Sequence, residues 1–342
     1  MAWSMAVACG HPDVCGVRAN PSILRGLRRG AETLDAMRVL GLRADPRPQT
    51  SEVFLLGYPN LGLAAIENAR EPFTGDPSGL HHTYAEDGDG DVATCDGDLR
   101  QRLDGRHAPL TADAIARDFD ALVALAQPTD VYTHAVFDGH PDHAAVGRLL
   151  AAALERSRLT GRFHATIMHP EGTAKCMGPS AREWPNPPEW EAEPLARFTP
   201  ALDVTAPPLP PCTEGARPGG WGAAGPPDEL VEVPPTMQDG DLERNLKWRV
   251  IARYPSQIDC GRDSSGRVHP SCGYMRAFVK RHEFFWTRPF GSGTAPGAGT
   301  VLVVGAHPDD EALGFAGIIA AARAAGRRVV VAVVTNGDST SP

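Results

Sequence analysis

The tightest constraint on this chain lies near its end. TVLVVG at 300–305 is a short β-branched run, EALGFAGIIAAARAAG at 311–326 is Ala-rich with apolar residues at helical spacing, and VVVAVVTNG at 329–337 opens with a second unbroken apolar run. Strand, helix and strand so close together form a βαβ unit. Strands with no polar alternation belong in a parallel sheet covered on both faces.

The same alternation runs through the rest of the chain. The pattern predicts a helix over 22–42, a strand over 51–59, a helix over 110–128 with Thr111 as N-cap, a strand over 130–135, a helix over 142–157 and a further buried strand over 162–170. The fold class is therefore α/β, a three-layer α/β/α sandwich around a mostly parallel sheet. Within 171–240 the clusters WPNPPEW, APPLPP and GPPDE suit neither a helix nor a central strand, so this stretch reads as a Pro-rich excursion or lid. A helix is expected to resume over 241–258 and a closing element over 276–286. GSGTAPGAG at 291–299 has the composition of a linker. All of this reads as one domain over 1–342.

Charge and cysteine content narrow the function classes. The 42 Asp and Glu against 33 Lys and Arg give a net charge of −9, which argues against a binder of phosphate backbones and so against nucleic acid as partner. No apolar run approaches the roughly 18 to 20 residues of a membrane span. The seven cysteines, at 9, 15, 95, 176, 212, 260 and 272, contain no CxxC pair, which disfavours a cysteine-only zinc site. Cys9 with Cys15 and Cys260 with Cys272 are spaced for local disulfides, and buried thiols are the alternative. The disulfide reading tilts the location from cytoplasmic to extracellular, although the first residues lack the basic and apolar stretches of a signal peptide.

Two motifs carry the chemistry. AHPDDE at 306–311 falls where the strand ending at Gly305 turns into the next helix, and ligand sites in open parallel sheets lie at the carboxyl ends of strands. His307 and Asp310 are three residues apart and can face one point, while Asp309 between them is left to act on a bound water. GHPDHAAVG at 139–147 repeats the placement after the 130–135 strand. One of His140 and His143 can complete a His, Asp, His set while the other faces substrate, and Asp142 can orient an imidazole. Either motif alone could be helix capping, where acids favour the N-terminal dipole. A third HPD, at 11–13, has no buried strand before it and reads as a loop. The acidic run 87–98 resembles a calcium loop but lacks the glycine at the sharp turn and the final Glu, so a solvated acidic loop is the expectation. Trp184, Trp190 and Trp221 are expected to pack the excursion, and His81 and His82 to sit on a rim.

AHPDDE, TNGD at 335–338, RRGAE with LGL over 28–42, FLLGYPN at 54–60, HPDH at 140–143 and YPSQ at 254–257 together resemble the zinc-dependent N-acetylglucosaminyl de-N-acetylase superfamily, the PIG-L or LmbE-like proteins. The resemblance implies a Rossmann-like sheet and one catalytic zinc ion held by His307, Asp310 and His143. It further implies Asp309 as general base, His140 as acid or electrophile, and Arg29 and Asn60 at the sugar. Asp138 stands where some relatives carry a catalytic tyrosine. The implied activity is hydrolysis of the N-acetyl group of an N-acetylglucosamine-type sugar or glycoconjugate. The alternatives are an amidase of the same superfamily acting on another amide and a non-catalytic sugar-binding protein. In that family the AHPDDE strand opens the domain. Reading 298–342 first, then the 1–170 core, the 171–240 lid and 241–290, with 291–299 as join, restores the family order, so the chain resembles a circularly permuted LmbE-like fold.

Overall fold

A computed structural model describes residues 20–45, 47–76, 78–86, 96–168, 229–258, 275, 278–279, 282–292 and 299–339. All seven cysteines, the HPD at 11–13, the three tryptophans of the excursion and most of the acidic run lie outside these residues. The elements in chain order are α1 (Pro21–Val39), β1 (Val53–Tyr58), α2 (Leu63–Glu67), α3 (Leu99–Asp104), α4 (Ala112–Ala126), β2 (Pro128–His134), α5 (Pro141–Ser157) and β3 (Gly161–Thr166). There follow β4 (Glu229–Glu232), α6 (Leu246–Ile251), β5 (His282–Phe290), β6 (Thr300–Gly305), α7 (Asp310–Gly314), α8 (Ala316–Ala324) and β7 (Val329–Thr335).

The seven strands form one sheet in the order β1-β7-β6-β2-β3-β5-β4. The first five are parallel, while β5 runs antiparallel to β3 and β4 antiparallel to β5. This is the α/β, mostly parallel arrangement expected from the sequence. Alternate residues of the central strands feed two cores. Leu302, Val304, Val330 and Ala332 face Phe119, Leu122 and Leu150 of α4 and α5. Val301, Val303, Val329 and Val331 face Met37 of α1, Ile319 of α8 and Phe285 of β5. Both faces are covered, which is why the strands read as continuous apolar runs.

Several boundaries moved. The helix expected over 311–326 is two helices, α7 and α8, broken at Phe315, whose φ of −133° leaves the helical region. The helix expected over 241–258 is confined to six residues capped by Asn245, whose side chain accepts from the Trp248 amide. Turns follow α6, because Tyr254 and Gln257 are engaged in tertiary contacts described below. The closing element is β5, and the carboxyl end of the expected excursion is the edge strand β4. The Thr111 cap of α4 is as expected, accepting from the Ala114 amide.

The crossover β6 to β7 runs through α8 on one face and β2 to β3 through α5 on the other, although β6 and β2 are neighbours. Chain connections therefore depart to opposite sides at the β6–β2 boundary. In doubly wound sheets that is where a crevice opens beyond the strand ends.

Candidate metal centre

Both HPD-containing turns end at this crevice. After β6, His307 and Asp310 are brought together by a local bond, the His307 amide donating to Asp310 Oδ2 at 2.7 Å. After β2, His140 is the N-cap of α5, its Nδ1 accepting from the Asp142 amide at 3.2 Å. Gly147 lets α5 approach the end of β2, because a Cβ there would lie 2.6 Å from the His134 carbonyl oxygen. His143, one turn earlier, is thereby pressed into the crevice and fully buried.

The two motifs meet. His143 Nε2 is 3.1 Å from His307 Nδ1 and 3.5 Å from Asp310 Oδ2, and His307 Nδ1 is 3.6 Å from Asp310 Oδ2. Tetrahedral zinc with ligands at about 2.0–2.1 Å sets its donors about 3.3–3.4 Å apart, so this triangle has the dimensions and the N, N, O chemistry of a zinc tripod. Metal-capable groups here are His140 with His143 and His307, and His134 with His143 and Asp310. They share His143, so His140 and His134 flank one centre.

The imidazoles are oriented by carboxylates. Asp142 Oδ2 lies 3.3 Å from His307 Nε2, and both Asp142 oxygens also accept from the Leu61 and Leu63 amides. Asp138 Oδ2 lies 3.2 Å from His143 Nδ1 and accepts from the Met168 amide, while its Oδ1 accepts from the His140 amide. Asp138 therefore braces both histidines of HPDH, His143 at its ring and His140 at its backbone amide. Burial, above all, pushes the His143 pKa down to about 4, so this ring is neutral at pH 7. Burial alone would lower His307 too, but hydrogen bonds to Asp142 and Asp310 win and raise it to about 10.

Asp309 differs from its neighbours. Its φ of 127° is rare for a residue with a side chain, a backbone conformation found preferentially at functional sites. Burial first, and the charge of Asp310 second, push its carboxyl up to about 8. The turn that carries it is held by Gln257 of YPSQ, whose side-chain amide donates to the Pro308 carbonyl at 2.6 Å. The same motif anchors α1, since the Ser256 amide and hydroxyl both bond Glu32.

The two residues expected at the sugar border the same crevice. Arg29 does not pair with Glu32, which is taken by Arg28 and Ser256. It donates instead to the Gly337 carbonyl at 2.7 Å, close enough to Asp309 for their charges to interact. Asn60 donates to Ser339 Oγ at 2.7 Å, and its side-chain oxygen is buried with no partner among the described residues. Asp338 of TNGD receives the Asn60 amide and the Tyr84 hydroxyl. His82 stacks on His107 and is bound into the loop around Asp98, which caps α3.

Sequence reasoning missed His134. It is fully buried, stacks on His143 with centroids 3.8 Å apart, and places Nε2 2.9 Å from Asp310 Oδ2. The available signal was its position: it is the last residue of a parallel strand that leads into HPDH.

Among known proteins, residues 302–342 match the family model PIG-L, described as GlcNAc-PI de-N-acetylase. No curated protein and no solved structure matches the chain. The matched segment spans β6 to β7 and contains His307, Asp309 and Asp310.

Proposed function

We propose, from the match of residues 302–342 to the PIG-L family model, that this chain is a zinc-dependent deacetylase. Its substrate would be an N-acetylglucosamine-type sugar or glycoconjugate. The observation that carries the reading is the convergence of His143 Nε2, His307 Nδ1 and Asp310 Oδ2 from two distant segments, every pair within 3.6 Å. A zinc ion held there supplies Lewis acidity toward an amide carbonyl and acidifies water.

The chain's own residues supply the rest. Asp309 takes the proton of the attacking water as general base, and its raised pKa brings it near the operating range of such a base. His140 accepts at Nδ1 from the Asp142 amide, so its ring proton is on Nε2, available as a donor to the developing oxyanion or the departing amine. Asp142 and Asp138 keep the imidazoles in register. Arg29 and Asn60 offer hydrogen-bonding groups to sugar hydroxyls. The products are acetate and a free amino sugar. We also read the segment order as circularly permuted, because β6 and β7, late in the chain, are the central strands between β1 and β2.

The test is acetate release from a panel of N-acetylglucosaminyl compounds with and without chelator. Chelator-sensitive release supports the reading. Tight zinc binding without release from any member of the panel would redirect it to another amide.

A further inference from the structure

His134 lies outside both motifs, yet it touches two of the three donors. Its ring lies flat on His143, at 3.8 Å and 17°, and its Nε2 is 2.9 Å from Asp310 Oδ2. The edge of Phe315, at the break between α7 and α8, closes the other side at 5.9 Å. Taking the cluster as a metal site, we propose that His134 is a positioning residue. It donates from Nε2–H to Asp310 and braces His143 by stacking, so that one side chain at the end of β2 sets the geometry of donors from both motifs.

The tautomer decides whether this works. Nε2 also lies 3.1 Å from the Ala306 amide, and Nδ1 has no partner among the described residues. Were Nδ1 the protonated atom, Nε2 would accept from Ala306. The ring would then turn a lone pair toward a carboxylate oxygen 2.9 Å away and bury an unsatisfied N–H. With the proton on Nε2, the ring makes a charge-assisted bond, roughly twice as strong as a neutral one. The cost is an unused acceptor on Nδ1 and the buried Ala306 amide, 3.1 Å from Nε2, losing its acceptor. Each tautomer thus strands one N–H, and only this one avoids facing a lone pair to the carboxylate. The second arrangement wins. Asp310 Oδ2 is then fixed by two donors, His134 Nε2–H and the His307 amide. Stacking on a ring that is itself hydrogen-bonded restricts the rotation of His143 about its χ2.

Two substitutions separate the contributions. His134→Phe keeps an aromatic ring over His143 but removes the donor, and His134→Gln keeps a donor but removes the ring. Zinc affinity is read by competition with a chromophoric chelator, and coordination geometry from the visible spectrum of the cobalt-loaded protein. His134→Phe is expected to weaken zinc binding about 10- to 100-fold and to alter the cobalt bands, with His134→Gln recovering most of the loss. Unchanged affinity and spectrum in His134→Phe, beside a wild type that binds tightly, overturns the positioning role alone. A wild type that binds no ion overturns the metal site with it. Nitrogen-15 NMR of the wild-type histidines provides a check that needs no variant: an Nδ1-protonated His134 overturns the proposal, and an Nε2-protonated one supports it.

Discussion

Two buried histidine–carboxylate clusters occupy the same sheet, and they are built to opposite ends. His143 and His164 are both fully buried, on α5 and β3. His164 Nδ1 lies 2.6 Å from Glu229 on β4 and 3.0 Å from Thr287 on β5, and its Nε2 lies 3.4 Å from Asp130 on β2. Asp130 is also paired with Arg327, just before β7, and with Arg162 at 2.9 Å, and Glu229 receives the Thr287 hydroxyl at 2.7 Å. Positive groups therefore meet the acids of this cluster within the chain itself. Around His143, by contrast, Asp309 and Asp310 form no ion pair with Lys or Arg among the described residues, and three donor atoms point at one another. The difference teaches that a cluster of histidines and carboxylates marks a candidate binding centre when its donor atoms converge on one point with no Lys or Arg bonded among them. When arginines close the circuit, the same residue types act as a clamp, here fastening the antiparallel edge to the parallel core.

The sharpest way to break that contrast is Asp309→Asn. Asn tolerates positive φ about as well as Asp, so fold and zinc content should persist while acetate release falls by about 10²- to 10⁴-fold, the typical worth of a general base. Turnover near the wild-type rate would remove Asp309 from that role. His143→Ala should abolish stoichiometric zinc, measured by metal analysis after dialysis, and full occupancy would take it out of the donor set. In the clamp the effect should appear in stability instead. Asp130→Asn leaves Arg327, Arg162 and His164 without their shared carboxylate, and chemical denaturation should show a loss of up to about 3 kcal/mol, the low end for a broken buried pair because Arg162 is half-exposed. Zinc content should be unaffected.

The clamp should also carry a pH signature. Burial alone would lower the His164 pKa, but its hydrogen bonds to Asp130 and Glu229 raise it, and Arg162 and Arg327 face Asp130 from the other side. Because the folded value lies above the unfolded one of about 6.5, the stabilisation is complete below that pH and is lost as pH rises through the folded value. Asp130 and Glu229, both held low, act in the opposite sense, keeping their contribution above roughly pH 4 and losing it in stronger acid. The thermal midpoint should accordingly fall as pH rises above about 6.5, with a shallower slope in His164→Gln. The smallest effect is expected from rearranging the chain order: joining Pro342 to Met1 and reopening near 297 should yield a folded protein with the same circular dichroism spectrum. A protein that does not fold would argue against permutation.

Patterning by itself determined the parallel core. Val and Leu runs at 300–305 and 329–335 admit few other fates, and their position before HPD turns already marked the carboxyl end of the sheet. His140, His143, His307, Asp309 and Asp310 were legible for the same reason, since local spacing puts them on turns at strand ends. What the sequence could not convey depends on contacts across the chain. The six-residue extent of α6 follows from Tyr254, Ser256 and Gln257 being claimed by α1 and the Pro308 turn, and the break at Phe315 from packing against His134 and Phe285. Arg29 reaching Gly337, Asp138 bracing His143, and His134 lying between two donors are likewise long-range facts. Periodicity reports which face of an element is buried, because burial of apolar area is additive and local. Which polar atom meets which is set only when the elements dock, because a hydrogen bond depends on distances of a few tenths of an ångström that no spacing along the chain encodes.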